Sequence, residues 1–282
     1  MTAKEIAGYM ETLRNEEQRQ VLMRFFKTGL GEYGEGDEFL GLKVPQTREI
    51  VKLVAKDLPL DEVPELLLSR WHEVRLCGLL LLVDRFGKLA TKRQENNASA
   101  IAGRDEILAM YLLYAGQANN WDLVDLTAPK ILGHWLLLPT EGPSAPLLSP
   151  LKGGGPKGGG VVGYHLDYKR DLLDSLATSS CLWRQRMSMV CTWKTLQQGN
   201  PSWCLRYAEM HLHHPHDLMH KAVGWMLREM GKRVSMDLLR DFLARHVHEM
   251  SRTTLRYAIE KMPYDERQEW LGTKIQKNTA QP

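Results

Sequence analysis

No uninterrupted apolar run in this 282-residue chain is long enough to span a membrane. The richest one, Leu79-Leu80-Leu81-Leu82-Val83, is cut at once by Asp84 and Arg85. Met1-Thr2-Ala3-Lys4-Glu5 lacks the charged-then-apolar order of a secretory signal, so the reading is of a cytoplasmic protein without a membrane partner. Cysteine is scarce. Cys77, Cys181, Cys191 and Cys204 show neither CxxC nor Cys/His spacing, which points to reduced core thiols and to no metal site. Alternating apolar segments are missing as well, and with them the signature of a β-strand. Residues Thr28 to Asp37 are rich in glycine, but not in the order of a Walker or dinucleotide loop. Glu32, Glu35 and Asp37 would also repel a phosphate there. The segment reads as an entry loop to Phe39-Leu40-Gly41-Leu42-Lys43-Val44-Pro45.

Helical periodicity is what the chain does contain. Two helices are expected within residues 3–27, carried by Ile6, Met10 and Leu13, then by Val21, Leu22, Phe25 and Phe26. Pro45 opens another, Gln46 to Lys56. Asp61 to Ser69, His72 to Phe86, Arg104 to Ala115 and Asn120 to Leu137 follow. Asp167 to Ala177, Leu182 to Gln197, Pro201 to Leu212, Asp217 to Gly231, Met236 to Ala244, Thr253 to Lys261 and Tyr264 to Leu271 complete the set. The segments at His72, Trp121, Trp183, His216 and Ser251 each open a long apolar helix behind a shorter partner. Apart from longer gaps before Trp121 and Trp183, they recur about every 40 residues, the spacing of a HEAT-type helical pair. Such pairs bury their apolar faces only by stacking, so an all-α superhelical solenoid with a concave face is expected. It would form a single domain over residues 1–272, followed by a tail, 273–282. Residues 91–97 make a polar link. Pro139 to Gly163, rich in proline and glycine, reads as a flexible surface insertion.

Charge is divided unevenly. Residues 1–180 hold 21 Lys+Arg against 24 Asp+Glu, a balance of −3; residues 181–282 hold 16 against 10, a balance of +6. That asymmetry suits a polyanion on the C-terminal half, and equally suits solvated, arginine-rich helix faces. The most suggestive stretch is Asn119-Asn120-Trp121-Asp122-Leu123-Val124-Asp125-Leu126. An asparagine can cap the helix, and Trp121 and Asp125, four apart, then share one face. A carboxylate beside an indole suits a cleft wall that holds something flat and positive. Arg186 stands three positions after Trp183. Trp225 adjoins Gly224, which would let another surface approach closely, and Lys221, Arg228, Lys232 and Arg233 surround it. Taken singly, each of these residues has a plain structural explanation as core, cap or solvated charge.

Taken together, Phe25-Phe26-Lys27-Thr28, Phe39-Leu40-Gly41-Leu42, Asn120 to Asp125, Leu182 to Arg186 and Ala222 to Glu229 resemble the AlkD family of HEAT-like DNA alkylation-repair glycosylases. The resemblance runs in order from about Glu5 to Trp270. It implies a catalytic role for Asp125, with Trp121, Trp225 and Arg186 lining the DNA-binding cleft. Phe25, Lys27, Lys221 and Arg228 fall beside those motifs and join the expected DNA- or lesion-binding set. Phe25 stands where a tyrosine is expected, which removes a hydroxyl. The implied substrate is duplex DNA carrying purines alkylated at N3 or N7, handled by a monomer at the nucleoid without metal or redox cofactor. Cleavage of such a base builds oxocarbenium-like charge on the sugar, which an ionised Asp125 would stabilise more in the transition state than in the ground state. The alternative is a non-catalytic helical scaffold or DNA-binding relative using the same surface.

Overall fold

The computed structural model describes residues 1–138 and 164–273. The expectations for the 139–163 insertion and for the tail beyond residue 273 fall outside these residues. Among the described residues the chain is helical throughout and no strand forms; a lone bridge joins Glu38 to Trp71. The helices are α1 (Ala3–Thr12), α2 (Glu16–Phe25), α3 (Val44–Val54), α4 (Val63–Leu67), α5 (His72–Leu89), α6 (Ala98–Leu113), α7 (Trp121–Thr127), α8 (Leu132–Leu137), α9 (Tyr164–Ala177), α10 (Leu182–Val190), α11 (Trp193–Leu196), α12 (Ser202–Met210), α13 (Asp217–Arg233), α14 (Met236–His246), α15 (Arg252–Ala258) and α16 (Tyr264–Gly272). Short polar side chains set many of their starts. Asn15, Asn97, Ser235 and Ser251 each accept a main-chain N–H of the first turn, and Thr2 with Glu5 closes a capping box.

The chain divides into two compact units, the first built on Met1–Ile131. Its axis is α5, whose residues from His72 to Leu82 are all buried. A helix apolar on every side must be covered on every side, and α3, α4, α6 and α7 do so, while α1 packs on α4. The second unit comprises Leu132–Leu137 and the chain from Leu166 onward. Here α13 is the axis, contacted by α10, α11, α12, α14 and α15. Gly224 is what brings α15 so near: a Cβ there would stand 2.5 Å from both the Thr254 carbonyl oxygen and the Tyr257 Cβ. In each unit, helices pack mainly on those close to them in sequence, as a helical repeat requires.

Two expected helices are each divided in two. The segment Asn120 to Leu137 breaks between α7 and α8 because Pro129 has no N–H to donate and its ring clashes with the preceding turn. The segment Leu182 to Gln197 breaks between α10 and α11. There the Thr192 hydroxyl bonds the Met189 carbonyl at 2.7 Å, and Thr192 N takes the same oxygen at 3.2 Å, tightening the backbone out of the α pattern. Of the helices that start earlier than expected, α6 does so by most: it begins at Ala98, capped by Asn97 from what reads in sequence as the polar link. Others run longer, among them α5 to Leu89, α13 to Arg233 and α14 to His246. None of these helices is long and apolar enough to cross a membrane, among the described residues.

Candidate functional site

The first unit holds a cavity of about 400 Å³ between α2, α3, α5 and α7, within the range of small-ligand sites. Its walls follow from a loop that is unusually well fixed. Gly31 and Gly36 adopt positive φ, and the Gly34 amide donates to the Lys27 carbonyl at 3.0 Å. Next, the Leu40, Gly41 and Leu42 amides donate to the buried Glu73 carboxylate at 2.8, 2.8 and 3.0 Å. Only glycine fits at position 41. Its φ is +91°, and a Cβ would lie 2.1 Å from the Asn15 carbonyl oxygen. This clamp presents Phe39 to the cavity. Phe26 stacks on Phe39 (5.1 Å between ring centres) and on Trp121 (5.3 Å), while Phe25 meets Trp121 edge-on at 5.8 Å.

Trp121 is the first residue of α7, and Asp125 follows one turn later; both are half-buried and both line the cavity. Phe25 lines it too, with 60% of its surface exposed. Three of the residues singled out in the sequence therefore meet at one wall. Lys27 lies on the turn beyond α2, in the left-handed region at φ 55°, and faces Glu32 at 3.8 Å.

Beneath that wall is an ionic network. His72 contacts Asp37 through Nδ1 at 2.8 Å and Asp122 through Nε2 at 3.0 Å. Arg75 reaches the other oxygen of Asp37 and donates to the Ser69 and Arg70 carbonyls, both at 2.8 Å. Asn120 donates to Asp37 at 3.3 Å and accepts the Trp121 amide at 2.9 Å, so the cap of α7 is tied to the same carboxylate. Burial by itself would depress the His72 pKa, but the Asp122 and Asp37 carboxylates outweigh it and hold it up to about 9. Burial pushes Asp37 the opposite way from its neighbours, and His72 and Arg75 keep it below the usual carboxylate range. Asp122 lines the cavity, and its Oδ1 is buried without a hydrogen-bond partner. Among the described residues no group of His, Cys, Asp or Glu is placed to hold a metal ion.

The remaining candidates belong to the second unit. Trp225 is half-buried on α13. On the same helix Lys221 pairs with Asp217 at 2.8 Å, and Arg228 pairs with Glu260 and lies 3.8 Å from Glu229. Arg186 lies on α10. Its side chain is 4% exposed, and Nη1 donates to the Leu218 carbonyl at 2.5 Å. That bond braces α10 against the first turn of α13.

Asp37, His72, Glu73, Arg75 and Asp122 escape notice as site residues in the sequence. Asp37 reads there as one of three acids on a glycine-rich entry loop, and the His72 segment as the opening of a repeat. The one usable signal is the spacing of His72 and Arg75, which places both on one side at the start of a helix with an apolar middle; it does not name their partner 35 residues earlier.

The comparisons with known proteins agree with this arrangement of helices. A family model described as "DNA alkylation repair enzyme" matches residues 7–145 and 159–262. Among solved structures, the chain is similar to one described as "Predicted DNA alkylation repair enzyme from Enterococcus faecalis". The two superpose with a TM-score of 0.61 at 15% identity, over 89% of this chain and 97% of that one. At that identity the likeness is one of fold. No curated protein matches the chain. Because the family model takes in most of the helices of both units, the chain belongs to the DNA alkylation repair enzymes.

Proposed function

We propose that the protein is a DNA glycosylase that releases cationic N3- or N7-alkylated purines, such as 3-methyladenine and 7-methylguanine, from duplex DNA in base excision repair. The observation that carries the reading is the pairing of Asp125 with Trp121 on the cavity-facing side of α7. A purine alkylated at N3 or N7 is already a cation, so its glycosidic bond is weak and needs no strong acid to expel it. Departure of the base leaves positive charge on the deoxyribose. The Asp125 carboxylate stabilises that charge as it develops and orients the water that adds to the sugar carbon. Trp121 and Phe25 supply ring faces and edges against sugar and cationic base. Trp225 offers a further ring face to the lesioned nucleotide, and Lys27, Lys221 and Arg228 are assigned to the DNA backbone, where cations position the duplex without reading its sequence. In this reading the protein acts as a monomer in the cytoplasm, at the nucleoid. No residue role calls for a metal or redox cofactor.

The test is release of 3-methyladenine and 7-methylguanine from methylated duplex, wild type against Asp125→Asn. The reading expects release by the wild type and a fall of about 10²-fold or more in the variant. Equal release by both removes Asp125 from the mechanism. Release by neither favours a non-catalytic DNA-binding member of the family. Excision of uracil at a comparable rate would overturn the dependence on lesion charge.

A further inference from the structure

We propose that His72 is a positioning residue of this site, acting as an imidazolium clamped between two carboxylates to fix the first turn of α7 and, through it, Trp121 and Asp125. The inference rests on the glycosylase reading above for its effect on rate, and on geometry for the clamp. Each ring nitrogen of His72 lies within hydrogen-bond distance of a carboxylate oxygen, at 2.8 and 3.0 Å. A neutral imidazole has one N–H and one lone pair, so it would set that lone pair against one of those oxygens. With both carboxylates ionised, only the cation satisfies both.

The charge balance leads to the same form. Asp37, Asp122, His72 and Arg75 are all buried. Two carboxylates against an imidazolium and a guanidinium leave the group neutral, whereas a neutral His72 would strand a net negative charge away from water. The other charged groups nearby do not replace it. Glu73, next on α5, turns to the amides of Leu40, Gly41 and Leu42, and Asp125 and Lys43 stand at the cavity wall. The ring itself is held flat against Phe39 at 4.3 Å, so it cannot swing away to other partners. The pKa of about 9 agrees with a proton held through neutral pH.

What the clamp joins gives it a role. On one side Asp37 belongs to the glycine-rich loop. On the other, Asp122 is the second residue of α7, and Asn120, the cap of α7, also bonds Asp37. The two ties to Asp37 and His72 flank Trp121 in sequence and precede Asp125 by one turn. Releasing them lets α7 shift relative to α2 and α5, and displacement of a catalytic group by about 1 Å costs on the order of 10²-fold in rate.

The experiment uses the full chain. Single-turnover release of 3-methyladenine from methylated duplex is followed from pH 6.5 to 10 for wild type, His72→Gln and Asp122→Asn, with circular dichroism to establish folding. In parallel, ¹⁵N spectra of the histidine rings are recorded across the same range. His72→Gln can donate to only one carboxylate, and its rate is expected to fall about 10- to 100-fold with affinity for undamaged duplex unchanged. The wild-type rate declines with a midpoint near pH 9, as the ring loses its proton. Removing a facing carboxylate in Asp122→Asn moves that midpoint down by about one to three pH units, which a merely structural role for Asp122 would not do. A wild-type His72 ring that is neutral at pH 7.5 overturns the clamp whatever the activity. Wild-type release with an unmoved midpoint, or an undiminished rate in folded His72→Gln, overturns the positioning role alone. Release by none of the proteins instead brings down the glycosylase reading and the rate effect with it, while the ring spectra still decide the clamp.

Discussion

Glu73→Gln removes the tie that shapes the Phe39–Leu42 loop, and its effect can be worked from three hydrogen bonds. The Glu73 side chain is buried, and its two oxygens accept the amides of Leu40, Gly41 and Leu42 at 2.8, 2.8 and 3.0 Å. Oε1 takes Gly41 and Leu42; Oε2 takes Leu40. Hydrogen bonds to a charged acceptor contribute about 1.5–3 kcal/mol each, against about 1 for neutral pairs. Glutamine keeps the two bonds at Oε1 in weaker, uncharged form, for a loss of about 1 kcal/mol. At the other position its NH₂ faces the Leu40 N–H, donor against donor, which removes a bond and leaves a buried amide unsatisfied for about 2 kcal/mol more. The sum is about 3 kcal/mol. Hydrogen exchange at the amides of residues 40–42 reads this directly, because each 1.4 kcal/mol is a factor of ten in protection; the expected drop is about 10²-fold, with amides of α13 unaffected. Protection that changes by less than about threefold would show that the loop is held by Gly41 and Phe39 packing and not by the carboxylate.

Arg186→Met tests the brace between α10 and α13. Leaving the Leu218 carbonyl unpaired should lower stability by about 1–3 kcal/mol in urea melts, while the slope of log affinity against log salt for duplex DNA stays that of the wild type; a slope reduced by about 0.9 would instead place Arg186 on a phosphate. His211 is buried, and burial, followed by the charge of His214, depresses its pKa from 6.5 to about 4. Because the folded value lies below the unfolded one, its contribution is complete above pH 6.5 and is lost as the pH falls towards 4, by about 3 kcal/mol in all. His211→Gln should flatten stability against pH over that window, and an unchanged profile would show that other groups set it.

The fold was largely legible in the sequence because helices advertise themselves locally. Caps such as Asn15, Asn120 and Ser251 stand one residue ahead of apolar repeats, and both signals lie within a dozen positions of each other. Where the reading of elements failed, the competing interaction was also local but subtler: the missing N–H of Pro129, and the Thr192 hydroxyl bonding back to Met189. The wall of the site was partly legible for the same reason, since Trp121 and Asp125 share a helix and a single turn fixes their relation. Its foundation was not. Asp37 and His72 are 35 positions apart, and His72 and Asp122 are 50, so their meeting depends on the packing of α5 against α7 and on a loop whose path is set by Gly41. A glycine-rich loop with three acids reads as a connection repulsive to anions until its partners are known. With His72 and Arg75 beneath it, one of those acids becomes a buried carboxylate with three partners, and the loop is tied through it to the cap of α7. The same logic explains Arg186: an arginine near a tryptophan at a helix start has the same local signature whether it faces a phosphate or a carbonyl oxygen 32 residues away.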